Sequence, residues 1–233
     1  MHLSTVAELA TTSQWTVKYH TFAEKAISWS EVKHKLVDYL QTVSIETLEE
    51  VARNELVNIR TFWNETALHL AAEKDHAELL ACVLLKVSQK ERLKLLKLQS
   101  YNGMNPLYYA AQSGFVKSME VMLISVEPEQ REKILEIKDH NGHTVLHYLS
   151  YYSNVKSIDC VLTYVTPLER IALLSLQDKQ GNTPIHTAIE GDDSTIIEHI
   201  LSELPVDKQL QILKLPNKNG DTALHCATMA GSV

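Results

Sequence analysis

The chain reads Gly181-Asn182-Thr183-Pro184-Ile185-His186-Thr187-Ala188 at the fullest copy of a phrase that returns every 39 residues. Five copies keep one register without slippage: Thr66-Ala-Leu-His69, Asn105-Pro-Leu-Tyr108, Thr144-Val-Leu-His147, Thr183-Pro-Ile-His186 and Thr222-Ala-Leu-His225. Repetition at a fixed period is typical of a stacked solenoid, because one short unit can bury its apolar face only against its neighbours.

Each copy of the phrase predicts a turn followed by a helix. A turn residue stands two places before each copy, as Asn64, Gly103, Gly142, Gly181 and Gly220. Glycine and asparagine tolerate positive φ, and the threonine that follows can cap a helix. A helix is therefore predicted to begin just after each turn, with an inner column of apolar residues: Leu68, Leu107, Leu146, Ile185 and Leu224.

Two further apolar segments follow in each of the first four repeats. The first has the i, i+3, i+4, i+7 spacing of a buried helical stripe, as in Leu80, Val83, Leu84, Val87 and later in Ile197, Ile200, Leu201, Leu204. The second keeps the same register, as in Ile134-Leu135-Glu-Ile137, and opens after Pro128, Pro167 and Pro205. A proline at that place predicts a short extra helical turn after a break.

The pattern Gly-x-Thr-Pro-Leu-His-x-Ala resembles the ankyrin repeat, over roughly residues 56 to 233. The usual ankyrin unit has about 33 residues, so these units resemble a lengthened version in which the last apolar segment is the added piece. The resemblance implies an all-α, ankyrin-type solenoid of helix-turn-helix repeats with short hairpin fingers. It also implies a concave surface that grips other proteins.

The repeat register divides the chain into two regions. Residues 1–55 do not match the unit and are predicted to form an N-terminal helical cap region. Residues 56–233 are predicted to form the repeat array, with about four and a half repeats. The last repeat stops where its second helix should begin, so we expect this chain to be part of a longer protein.

Composition excludes some classes of protein. The chain has 45% apolar and 22% charged residues, a net charge of −7 and a pI of about 5.9. This balance does not fit a nucleic-acid binder with a broad basic face. Cys82, Cys160 and Cys226 are expected to be reduced, and no apolar run is long enough to span a membrane. We therefore expect a cytoplasmic protein with no nucleic-acid partner and no direct membrane insertion.

Eleven histidines invite a metal or catalytic interpretation. Four of them close the repeated phrase, namely His69, His147, His186 and His225. The resemblance implies that such a histidine hydrogen-bonds within its own turn and to the neighbouring repeat. Tyr108 stands in this place in the second copy, where the sequence does not establish the same network.

The remaining motifs do not point to chemistry. His140 and His143 flank the turn Asn141-Gly142, but a metal there needs at least a third ligand from elsewhere. The sequence has no Cys-x-x-Cys pair, no Gly-rich phosphate loop and no nucleophile elbow. We therefore predict a non-enzymatic protein without catalytic residues, a metal site or a cofactor.

The resemblance carries the family's recognition positions onto the finger tips and the exposed inner side of each first helix. The candidate partner-binding residues at these positions are Phe62, Trp63, Tyr101, Met104, His140, His143, Tyr151, Tyr152, Lys179 and Lys218. Large rigid aromatic side chains contribute binding area at low entropy cost. Alternatively, Phe62 and Trp63 cover the junction with the N-terminal region. The register predicts Trp63, Tyr101 and His140 on successive fingers along one edge.

Two hypotheses about function follow. The first is a protein-interaction scaffold that binds a partner protein or peptide in the concave groove. The second is the recognition arm of a larger enzyme, signalling receptor or ion channel whose effector domain lies beyond Val233. We expect a monomer unless the open C-terminal face associates. A standalone catalyst is disfavoured, because the sequence contains no catalytic constellation.

Overall fold

The structure is a computed structural model that describes residues 63–191 and 194–231. The predicted N-terminal cap region, residues 1–55, lies outside the described residues, as does the start of the predicted array, residues 56–62. Within the described ranges the chain forms thirteen helices and no strand. The predicted all-α solenoid is thereby confirmed for this part of the chain.

The helices fall into three kinds that alternate along the chain. The first helices of the repeats are α1 (Ala67–Glu73), α4 (Pro106–Ser113), α7 (Val145–Tyr151), α10 (Pro184–Glu190) and α13 (Ala223–Ala230). The second helices are α2 (Ala77–Lys86), α5 (Val116–Ile124), α8 (Val155–Thr163) and α11 (Ser194–Ser202). The third helices are α3 (Gln89–Leu96), α6 (Pro128–Leu135), α9 (Pro167–Leu174) and α12 (Val206–Leu213).

Helices of one kind stack against each other from repeat to repeat. The first helices contact in the order α1, α4, α7, α10, α13, and the third helices in the order α3, α6, α9, α12. The second helices α2, α5 and α8 also contact in this order, and first and second helices of one repeat pack together. The core therefore runs along the stack as a continuous apolar layer rather than collecting at one centre.

The predicted turn and helix start are observed in each repeat. Asn64 has a φ of 62° and Gly142 a φ of 86°, in the left-handed region that the turn requires. Thr66 has extended backbone and precedes the first residue of α1. The inner column is buried in four repeats, at Leu68, Leu107, Leu146 and Ile185. Leu224 is exposed, because within the described residues no further first helix packs against α13.

The third apolar segment is longer than predicted. Instead of one extra turn, Pro128–Leu135 forms a helix of eight residues, and Pro167–Leu174 does the same. Proline occupies a first-turn position in both, where its missing N–H costs no hydrogen bond. The segment is long enough for two turns because Ile134 and Leu135, at its end, are buried against the rest of the repeat.

A column of long polar side chains fastens each third helix to the end of the preceding second helix. Arg131 donates to the carbonyl of Leu123 at 3.0 Å, and Arg170 donates to the carbonyl of Leu162 at 3.1 Å. Gln209 takes this place in the fourth repeat and donates to the carbonyl of Leu201 at 2.9 Å. Helix ends leave carbonyl groups without intrahelical partners, so these side chains satisfy them.

The buried stripe of α11 differs from the prediction. Ile200 and Leu204 are buried as expected, but Ile197 and Leu201 are only half-buried, and Ile196 is fully buried instead. The stripes of α2 and α5 are also covered by the second helix of the next repeat. Within the described residues no such helix packs on the outer side of α11, which explains the exposure of Ile197 and Leu201.

Candidate protein-interaction surface

Each finger is a tight turn that closes on its own backbone. In the third finger Asp139 donates its N–H to the carbonyl of His143 at 2.9 Å, and Gly142 donates to the carbonyl of Asp139 at 3.0 Å. A Cβ added at Gly142 would lie 2.7 Å from the backbone nitrogen of Lys179 in the next finger. Glycine is therefore needed here both for its φ and for the close approach of two fingers.

Backbone hydrogen bonds join the fingers into one ridge. The N–H of Tyr101 donates to the carbonyl of Trp63 at 2.8 Å, and the N–H of His140 donates to the carbonyl of Asn102 at 2.9 Å. The two later junctions, Lys179 to Asn141 and Lys218 to Gln180, repeat this bond at 2.9 Å. Trp63, Tyr101 and His140 thus lie on successive fingers along one edge, as predicted.

The repeated histidine links neighbouring repeats in the way the resemblance implies. In the first repeat Nδ1 of His69 accepts from the N–H of Thr66 at 3.0 Å, and Nε2 donates to the carbonyl of Met104 in the next finger at 3.0 Å. His147 and His186 make the same pair of bonds, to Asn182 and Asp221. Burial lowers the pKa of His147 to about 4, so this link is made by the neutral ring at pH 7.

The second repeat keeps this link with a different side chain. The hydroxyl of Tyr108 donates to the carbonyl of His143 at 2.7 Å, at the same finger position that the histidines reach in other repeats. A second carbonyl, that of Ile137, also accepts from this hydroxyl. Asn105 replaces the threonine and accepts from the N–H of Tyr108. The network that the sequence left open is therefore present, because the longer phenol spans the same gap.

The structure describes nine of the ten residues predicted to bind a partner, and Phe62 lies outside the described residues. Seven of the nine are exposed, namely Trp63, Tyr101, His140, Tyr151, Tyr152, Lys179 and Lys218. Met104 and His143 are half-buried at the base of their fingers. Trp63 and Tyr101 stand out, with 59% and 60% of their surface exposed.

An open cavity of about 320 Å³ lies beside the first two fingers. Trp63, Tyr101 and Met104 line it from the fingers, and Tyr109 and Glu65 complete the wall. The hydroxyl of Tyr109 donates to Oε1 of Glu65 at 2.9 Å, across 44 residues of sequence. Burial is the largest of several causes that raise the pKa of Tyr109 to about 12, so the phenol remains protonated and keeps this donor at pH 7.

The sequence prediction missed Tyr109 as a wall residue of this cavity. Its ring packs edge-on to the ring of His69, with centroids 5.1 Å apart. In the third repeat Tyr148 occupies the equivalent place. A tyrosine one residue after the phrase, in both the second and the third repeat, was the sequence signal that could have identified both side chains.

A second aromatic cluster lies on the inner side of the third repeat. The rings of Tyr151 and Tyr152 meet edge-to-face at 5.3 Å, and Tyr152 stacks on Tyr148 at 6.4 Å. Gln112 of the preceding repeat donates to the hydroxyl of Tyr152 at 3.4 Å. The predicted residues Tyr151 and Tyr152 therefore lie together, next to the repeat that carries the cavity.

His143 joins two fingers through acidic side chains. Its Nε2 lies 3.2 Å from Oδ2 of Asp178 in the fourth finger, and its Nδ1 lies 3.6 Å from Oδ2 of Asp139 in its own finger. The hydrogen bond to Asp139 raises the pKa of His143 above its ordinary value, although burial acts in the opposite direction. For Asp139, burial alone would raise the pKa, but hydrogen bonds from His143, Tyr148 and Asn141 together lower it.

Comparison with known proteins gives one family. The family model described as ankyrin repeats (3 copies) matches residues 31–132. No curated protein matches the chain. Along residues 63–191 and 194–231, no helix is long and apolar enough to cross a membrane, and no three histidine, cysteine or acidic side chains converge as metal ligands. The family match over residues 31–132 and the stacked helix-turn-helix units of the described residues support an ankyrin-repeat family for this chain.

Proposed function

We propose that this chain is a protein-interaction module that binds a partner protein or peptide in the groove between the fingers and the inner side of the first helices. Ankyrin repeats are in general protein–protein interaction modules. The single observation that carries the finer proposal is the pair of exposed rings, Trp63 and Tyr101, on two adjacent fingers whose backbones are hydrogen-bonded together.

The rigidity of the ridge favours binding through these rings. The fingers are joined by one backbone hydrogen bond at each junction and by the histidine or tyrosine links beneath them. A surface that is already ordered loses little conformational freedom when it binds. Aromatic side chains with few rotatable bonds add to this advantage, and they are common among the residues that dominate binding energy.

The proposal extends to a non-enzymatic role in the cytoplasm. Proteins of ankyrin repeats are typically non-enzymatic scaffolds. Cys82, Cys160 and Cys226 are all free thiols, which favours a reducing compartment. If the chain serves as the recognition arm of a larger enzyme, receptor or channel, the same groove is the proposed partner site.

The test is affinity capture of partners from a cell lysate with three forms of the chain. The first is the wild type, and the second carries Trp63→Ala, Tyr101→Ala and Tyr152→Ala. The third is a matched control, Leu168→Ala with Val206→Ala, which removes exposed apolar side chains from the third helices instead. Circular dichroism first establishes that all three are folded.

We expect the wild type and the control to retain the same partners and the triple variant to lose them. An unchanged partner list for the triple variant would place the binding surface elsewhere. Loss of partners in the control alone would move it to the side of the third helices. Either result overturns the groove proposal.

A further inference from the structure

We propose that the cavity beside the first two fingers receives a cationic side chain, arginine or lysine, of the partner. This inference rests on the proposed function and names the chemistry that the groove recognises. It is carried by the combination of three aromatic rings and one carboxylate around a single opening: Trp63, Tyr101, Tyr109 and Glu65.

The described part of the cavity wall combines aromatic rings with the carboxylate of Glu65. Its remaining lining side chains include Met104, Gln112 and Asn102, and the cavity wall formed by the described residues contains no lysine, arginine or histidine. A cation near the faces of tryptophan and tyrosine rings is attracted by their negative π-surface. An apolar side chain of the partner would pack against the rings, but it would not interact favourably with the carboxylate.

The carboxylate of Glu65 is held in place at the wall. Tyr109 donates its hydroxyl hydrogen to Oε1 of Glu65 at 2.9 Å. Burial is the largest cause that raises the pKa of Tyr109, the hydrogen bond with Ser100 acts in the opposite direction, and the hydrogen bond and charge of Glu65 raise it further. A fixed negative charge in a partly desolvated site favours a positive ligand more strongly than an exposed one does.

The cavity is reachable from the groove. Trp63 and Tyr101 are more than half exposed, and they form its outer rim on adjacent fingers. A peptide lying along the fingers can therefore direct one long side chain inward past these rings. Arginine fits best, because its planar guanidinium can stack on an aromatic ring and hydrogen-bond to a carboxylate at the same time.

The test is an NMR titration of the whole chain with two small probes of nearly equal shape. The first probe is N-acetyl-arginine amide, which is cationic, and the second is N-acetyl-citrulline amide, its neutral counterpart. Trp15, Trp29 and Trp63 give three indole N–H signals, and the variant Trp63→Phe identifies the third. We expect the arginine probe to shift the Trp63 signal saturably, and the citrulline probe to bind at least about fivefold more weakly.

Two variants separate the cavity from general acidity of the surface. Glu65→Gln should weaken the arginine probe to the level of the citrulline probe, and added salt should weaken the wild-type interaction. The matched control is Glu120→Gln, because Glu120 also accepts a tyrosine hydroxyl, from Tyr164, at 2.8 Å but lies outside the cavity. This control should bind the arginine probe as the wild type does.

The outcomes distinguish this inference from the function on which it rests. Equal binding of both probes, no shift with either, or full binding by Glu65→Gln overturns the cationic ligand. If Glu65→Gln still captures the partners that the triple aromatic variant loses, the groove stands and the cationic chemistry is wrong. If the triple variant keeps all partners, the groove proposal itself fails, whatever the probes do.

Discussion

The fourth and fifth repeats carry the same phrase and the same local geometry. In the fourth, the N–H of Thr183 lies 3.2 Å from Nδ1 of His186, and the threonine hydroxyl lies 2.8 Å from it. Thr222 and His225 show the same two distances in the fifth. Turn, cap and helix start are therefore made by the phrase alone, without help from the next repeat.

The two repeats differ in the two features that require a following repeat, namely the burial of the inner column and the hydrogen bond of the histidine Nε2. Ile185 is fully buried, whereas its equivalent Leu224 is 65% exposed. Nε2 of His186 donates to the carbonyl of Asp221 at 3.2 Å, but among the described residues no carbonyl occupies that place for His225. The phrase therefore specifies local structure, while stacking provides the burial and the long-range hydrogen bond.

The largest effect is expected at the finger glycines. Gly181→Ala should lower the free energy of unfolding by about 2 to 5 kcal/mol. Its φ is 83°, and the new Cβ would lie 2.6 Å from the backbone nitrogen of Lys218. Gly220→Ala should cost only about 1 to 2 kcal/mol, because its φ is 87° but no described atom lies within 4 Å. Urea denaturation of both variants measures the two costs.

Both glycine variants carry nearly the same backbone strain, because the two glycines have nearly the same φ. The difference between their free energies of unfolding is then the cost of the close approach between fingers. Equal losses would mean that the fourth and fifth fingers can separate freely, which contradicts a rigid ridge.

A smaller effect is expected at the linking histidines. His186→Ala should lower the free energy of unfolding by about 1 to 3 kcal/mol, because it leaves buried polar groups unpaired. His225→Ala should cost less than about 1 kcal/mol, because only the local cap is lost. Thermal and urea denaturation give both values. A loss of only a few tenths at His186 would show that its link to the fifth finger does not contribute to stability.

The smallest expected effect is a pH dependence of the free energy of unfolding at His143. His143 lies between Asp139 and Asp178, whereas the equivalent residue of the fourth finger is Asn182. A histidine whose pKa is raised on folding stabilises the fold below its unfolded pKa of about 6.5. This stabilisation is lost as the pH rises through the folded pKa. His143→Asn should therefore be destabilised more at about pH 6 than at about pH 8, by less than about 1 kcal/mol.

The wild type alone would not reveal this contribution. Burial lowers the pKa of His147 and His186, so their effect on stability runs the other way, falling as the pH drops below about 6.5. The ring of Tyr148 packs edge-on to His143, with centroids 5.8 Å apart, and the charge of Lys138 contributes to the lowered pKa of His147. Only the difference in the free energy of unfolding between wild type and His143→Asn, measured at both pH values, isolates the contribution of the contacts of His143 with Asp139 and Asp178. A difference that does not change with pH would contradict it.

Much of the fold was predictable because its determinants are local. The left-handed turn at Gly142 and the cap at Thr144 depend on residues within a few places of each other. The stacked order also follows from the register of the five phrases. The length of the third helix was not predictable, because it depends on the burial of Ile134 and Leu135 against other helices.

The candidate surface was predictable in position but not in detail. The register placed Trp63 and Tyr101 on adjacent fingers, and the structure places them there. It did not bring Tyr109 to Glu65, because the two residues are 44 apart and meet only through the stacking of α1 on α4. The role of Phe62 stays a prediction, since it lies outside the described residues.

By itself, the sequence determined the repeat, its turns and caps, and the face on which variable side chains stand, because each of these follows from a short motif repeated in register. Only the tertiary structure decided which side chains meet between repeats. Tyr108 makes the hydrogen bond to the next finger that a histidine makes in other repeats, and Arg131 donates to a carbonyl at the end of α5. The cavity is lined by residues of two repeats. These contacts depend on how far one helix lies from the next, and that distance is set by packing across the whole stack.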